Sequence, residues 1–90
     1  MLTREDAIRW LQEHGLFANA RDWNFGQSVC VWANQETDPN TGITVCHNMV
    51  ILYPESGEWH FCDPSTQKYE TRRCGSLAEA AQEAVKHFSA

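Results

Sequence analysis

Ninety residues, 42% of them hydrophobic and 21% charged, suit one soluble globular domain covering residues 1–90. No apolar run is long enough to cross a membrane as a helix. A formal charge of −5 sits unevenly: Arg4, Arg9, Arg21, Lys68, Arg72, Arg73 and Lys86 are all the Lys and Arg, so residues 22–67 have none. That stretch carries Asp22, Glu36, Asp38, Glu55, Glu58 and Asp63, and such a surface is expected to repel the phosphate backbone of a nucleic acid.

The opening Met-Leu-Thr-Arg-Glu-Asp has no signal-peptide apolar region and no lipidation motif, so a cytoplasmic location is expected. Cys30, Cys46, Cys62 and Cys74 are dispersed without any CxxC spacing. They are expected to be reduced and partly buried rather than to form a disulfide framework.

A first helix is expected over 3–14. Thr3 is a good N-cap, Glu5 and Asp6 place negative charge in the first turn, and Ala7, Ile8 and Leu11 fall at helical spacing with Trp10 widening the stripe. Gly15 stands where a glycine would end the helix. Residues 18–26 read as a connection rich in turn formers, with Trp23 and Phe25 capping one end of a core. A strand is expected over 27–34, where Val29, Val31 and Ala33 alternate with Ser28, Cys30 and Trp32 and both faces are apolar. Residues 35–42, Gln-Glu-Thr-Asp-Pro-Asn-Thr-Gly, read as an exposed hairpin loop. Its Asp38, Asn40 and Gly42 match part of a calcium loop, but the third oxygen ligand and the distal glutamate are missing.

Residues 43–63 carry the strongest signal. ITVCHNMVILY and EWHFCD flank PESG, a hairpin pattern. With PESG as a four-residue loop, Tyr53 faces Glu58 and Met49 faces Cys62. Leu52, Val50, Trp59 and Phe61 then form a core face; Tyr53, Ile51, Met49, His47, His60 and Cys62 form a second, mixed face. Asp63-Pro64-Ser65-Thr66 reads as a turn, and residues 69–73 as a short fourth strand or extended tail, with Lys68, Arg72 and Arg73 suited to a sheet edge. A last helix is expected over 77–88. Ser76 and Glu79 suit a capping box, and Leu77, Ala80, Ala81, Ala84, Val85 and Phe88 give an apolar stripe. The expected fold is α+β: a three- to four-stranded antiparallel meander, order α-β-β-β-(β)-α, with both helices on one face.

This order resembles the double-stranded-RNA-binding domain in topology. Those domains place lysines at the start of the last helix, where this chain has Ser-Leu-Ala-Glu, so no RNA binding is expected. The opening Leu-Thr-Arg-Glu-Asp-Ala helix, the Tyr-Pro near a Gly-x-Trp hairpin, and the closing Ser-Leu-x-Glu-Ala helix resemble small cytoplasmic immunity proteins of bacterial toxin systems. The resemblance implies an acidic inhibitor that plugs a basic toxin site; no matched motif names a site residue.

Three uses of the second face follow from the residues. A protein contact would use Met49, Ile51, Tyr53, Glu58 and His60, an apolar patch with acidic neighbours suited to a basic protein partner. A homodimer would use the same face. A metal or thiol site would draw on His47, His60 and Cys62, three ligands at most, because Cys46 points away from its neighbour His47. His60 beside Cys62, or Cys74 near Arg72, Arg73 and a helix start, are the pairings that favour a lowered thiol pKa. No nucleophile elbow, phosphate loop or dinucleotide fingerprint is present, so neither catalysis nor a cofactor is expected.

Overall fold

The computed structural model describes residues 2–23, 26–64 and 70–89, with the side chain of Trp23 excepted. The first helix, α1 (Arg4–Glu13), is closed at both ends by local chemistry. Thr3 accepts the Asp6 N–H at 3.1 Å while the Asp6 carboxylate accepts the Thr3 N–H at 3.2 Å, a complete capping box. Its far end is a Schellman turn. Gly15 takes φ +82°, its N–H donates to the Gln12 carbonyl, and the Leu16 N–H reaches back to the Leu11 carbonyl.

The chain then does what its composition conceals. Residues expected to be a connection form strand β1 (Phe17–Trp23), paired antiparallel along its whole length with β2 (Gly26–Trp32). Ala18 and Ala20 are poor strand formers alone, and the pairing with β2 overrides them. Phe25 lies outside the described residues, as does the Trp23 side chain, so the expected aromatic cap falls there. β2 is buried from Ser28 to Trp32 on both faces, as its composition implies.

The run 43–53 is not one strand. It divides at Asn48, which takes φ +55°, into β4 (Thr44–His47) and β5 (Val50–Glu55). β4 pairs instead with β3 (Asn34–Thr37), built from Asn34, the expected end of the preceding strand, and from residues 35–37, expected to be loop, and the two form a separate two-stranded sheet. β5 returns to the main sheet beside β2 and continues into β6 (Glu58–Asp63).

The β5–β6 turn is two residues, Ser56 and Gly57, rather than four. Both have positive φ, +55° and +80°, as a twist-matched two-residue hairpin requires. Glu55 therefore faces Glu58, Tyr53 faces His60, Leu52 faces Phe61 and Ile51 faces Cys62. The slip from the expected register is two residues, an even number, so residues 50–53 and 58–62 keep their expected faces, whereas Met49 and His47, expected on the second face, leave this sheet. β7 (Glu70–Gly75) is the expected additional strand, with a bulge opposite Trp59 and His60; Ser65, Thr66, Lys68 and Tyr69 lie outside the described residues.

The main sheet thus has five antiparallel strands in the order β1-β2-β5-β6-β7. The last helix, α2 (Leu77–Ser89), begins at Ser76, whose hydroxyl accepts the Glu79 N–H at 3.1 Å. Both helices pack on one face. Leu11 of α1 and Ala80, Ala81 and Ala84 of α2 meet Ala18, Val29, Val31, Val50, Leu52 and Phe61 in one core. The small alanines let α2 lie close to the sheet. At its margin the Arg72 guanidinium sits over the Phe61 ring, 5.2 Å from its centre, and pairs with Glu83. The fold is therefore the expected α+β meander between two helices, and among the described residues no helix is long and apolar enough to cross a membrane.

Candidate protein-binding face

The side of the sheet away from the helices is built by strand alternation. Pairing places Asn19, Cys30, Ile51, Cys62 and Thr71 in one row across all five strands, and Tyr53, His60 and Arg73 in the next. Phe17 and Trp32 close one end as a stacked pair, ring centres 5.9 Å apart, and Tyr53 and His60 stack at 5.3 Å. Cys30 and Ser28 are fully buried although no helix covers them, and Trp32 is buried too. Ile51, Tyr53, His60 and Cys62 are half-buried, and Phe17 is exposed.

Beside the main sheet, β3 and β4 form an arm. It leans toward the Trp32 end, where the indole Nε1–H donates to Gln35 Oε1 at 2.9 Å. Cys46 of β4 is one of the groups raising the Cys30 thiol pKa. Ile51, Tyr53, His60 and Cys62 form a contiguous half-buried patch at the centre of the face.

Of the expected contact residues, Ile51, Tyr53, Glu58 and His60 share this face. Met49 stands between β4 and β5, half-buried and outside either strand. Of the expected metal set, His60 and Cys62 share a face two residues apart on β6, whereas His47 lies on the arm opposite Asn34, its Nε2 3.8 Å from Glu36. Among the described residues no three His, Cys, Asp or Glu side chains gather as metal ligands. The partial calcium-loop match also resolves into local bonding, since Asp38 Oδ1 accepts the Asn40 N–H at 2.8 Å and Thr41 Oγ1 the Ile43 N–H at 3.3 Å.

Burial raises the thiols of Cys30, Cys62 and Cys74. Burial pushes the Cys62 thiol up, with Asp63 adding to the shift. Cys74, like Cys62 beside His60, was a thiol expected to be lowered, in its case by its arginines and helix start. Burial raises it instead, Glu83 and Glu79 add to that, and a hydrogen bond with the Phe61 backbone and the charge of Arg72 oppose it only in part. Cys30 is raised chiefly by burial, against the pull of Arg21. Tyr53 is also raised, by burial first and then by Cys62 and Glu55.

Charge is redistributed by the fold. Glu58 is held by Arg73 at 2.7 Å, and Asp22 by Arg4 at 2.7 Å. Glu55 lies 4.0 Å from His60 Nε2, and buried Asp63 is 3.4 Å from His87 Nε2. The arm, with Glu36 and Asp38, carries no Lys or Arg of its own. Sequence reading missed Phe17, because β1 looks like loop, and missed the outward placement of Ile43 and Val45, because they extend an unbroken β-forming run into β5. Comparison with protein-family models, with curated proteins and with solved structures finds no match to this chain.

Proposed function

We propose that this chain is a small acidic, non-enzymatic interaction domain of the cytoplasm, an inhibitor or adaptor that binds a basic protein through the helix-free sheet face. The observation that carries the reading is the unequal treatment of two apolar faces. One is sealed by α1 and α2; the other leaves Ile51, Tyr53, His60 and Cys62 half-buried with no helix over them. On that face the Cys62 thiol is raised by burial and the His60 imidazole is stacked on Tyr53, which suits contact rather than chemistry.

Ile51→Lys is the direct test. The position is central in the face and not in the core, so the variant is expected to keep the circular dichroism of the parent. Binding to a partner identified by affinity capture and mass spectrometry is expected to fall by about tenfold or more, as for a charge placed in the centre of a contact patch. Capture that survives Ile51→Lys intact refutes this use of the face. A dimer in sedimentation velocity that Ile51→Lys splits would assign the face to a second copy instead.

A further inference from the structure

We infer that the β3–β4 arm is itself a docking element, and that it seats an apolar side chain flanked by Lys or Arg on the surface of a basic protein. This rests on the reading of the chain as an interaction domain, but it concerns a different surface.

The arm exposes both of its sides, and one of them carries large apolar side chains. Pairing puts Gln35, Thr37, Thr44 and Cys46 on one side, and Asn34, Glu36, Val45 and His47 on the other. The first side is joined to the domain through the bond from Trp32 to Gln35, and the Thr37 and Thr44 hydroxyls meet at 2.9 Å. The second side carries the apolar exposure. Val45, directly across from Glu36, is 52% exposed, and Ile43 is 62% exposed, the largest values among the big apolar side chains described. Two large apolar side chains thus stand in solvent beside a carboxylate, against what burial within a monomer favours.

The tip holds this arrangement in place. The Asp38 N–H donates to the Ile43 carbonyl at 2.9 Å, the Gly42 N–H to the Asp38 carbonyl at 2.8 Å, and the Asp38 carboxylate takes the Asn40 N–H. The conformation is therefore set before any partner arrives, which lowers the ordering cost of binding.

Glu36, Asp38, Ile43 and Val45 line one shallow groove together with Pro39 and Thr41. Thr37 completes the lining, whose charged groups are the carboxylates of Glu36 and Asp38, with the His47 imidazole 3.8 Å from Glu36. Charge complementarity selects a cationic occupant, and a second copy of a chain with net charge −5 is a poor one.

The test places a photo-crosslinking residue, p-benzoylphenylalanine, at position 45 or, separately, at position 53, and irradiates the protein in the cells it comes from. Adducts are identified by mass spectrometry. The arm at position 45 is expected to label one recurrent protein of isoelectric point above about 9. Adding Glu36→Lys with Asp38→Asn should reduce that adduct about tenfold, because charge is reversed at one position and removed at the other. The amide oxygen that Asp38→Asn introduces still accepts the turn N–H, so the tip keeps its shape. Circular dichroism of the variant controls for folding.

Labelling from position 53 alone overturns the arm proposal and leaves the sheet-face reading standing. Labelling from position 45 alone supports the arm and removes the sheet face. An adduct with a second copy, an acidic partner, or labelling indifferent to the charge changes each overturns the inference. No adduct from either position overturns both.

Discussion

Leu52 and Ile51 are sequence neighbours on opposite faces of β5, so they test the two-sided architecture with minimal confounding. Leu52 is fully buried, faces Phe61 on one side and Val29 on the other, and belongs to the cluster closed by the alanines of α2. Leu52→Ala removes three carbon groups at ~0.8 kcal/mol each, roughly 2.4 kcal/mol of transfer energy. A cavity that the paired strands cannot collapse brings the expected loss to about 3 kcal/mol, within the usual range of roughly 2–5 for such sites. Ile51→Ala removes the same number of carbons from a half-buried side chain with no helix above it, and the expected loss is about 1 kcal/mol. Urea denaturation followed by tryptophan fluorescence measures both. With a slope of roughly 1–1.5 kcal/mol per molar for a chain this size, Leu52→Ala should lower the midpoint by about 2–3 M and Ile51→Ala by about 0.7–1 M. Equal losses, or a larger loss at Ile51, would refute the claim that the helix-free face lies outside the core.

Two further outcomes follow from local chemistry. Thr3→Ala should cost about 1 kcal/mol of stability through the lost cap, and an NMR titration should show the Asp6 carboxyl moving back up toward its ordinary value. The Thr3 hydroxyl is the first cause of its lowering, with the Thr3 backbone N–H second. A carboxyl lowered in the fold supports folding above the unfolded chain's value and loses that support as pH falls through the folded value, so the variant should have a shallower acid limb. At the alkaline end the sign reverses. Cys30, Cys62 and Cys74 are all raised by burial, so the folded state holds their protons longer than the unfolded chain does. Stability should therefore fall as pH rises past ~8.5, the ordinary thiol value. Urea midpoints at neutral and alkaline pH should show this fall, and Cys30→Ala should reduce it; a pH-independent midpoint would contradict buried thiols.

The elements governed by short-range physics were legible in the chain. The Thr3 cap and Gly15 stop of α1, the Ser76 start and alanine stripe of α2, and the period-two alternation around Val50, Leu52, Trp59 and Phe61 each depend on residues within a few positions of one another. The face assignment of residues 50–53 and 58–62 survived an error in the hairpin loop because the error was an even number of residues, whereas Met49 and His47 left the face when the run divided at Asn48. What required the tertiary structure was pairing between segments of weak local preference. Ala18 and Ala20 become strand only because β2 supplies hydrogen bonds across seven positions, and Gln35 to Thr37 only because β4 turns away at Asn48 to meet them. The same is true of charge. The acidic block in the sequence is met by Arg4 and Arg73 from distant positions, leaving the arm's carboxylates without a Lys or Arg on their own hairpin. Periodicity specifies which side chains share a face, whereas the choice of what covers that face is a contest among long-range contacts that no local pattern encodes.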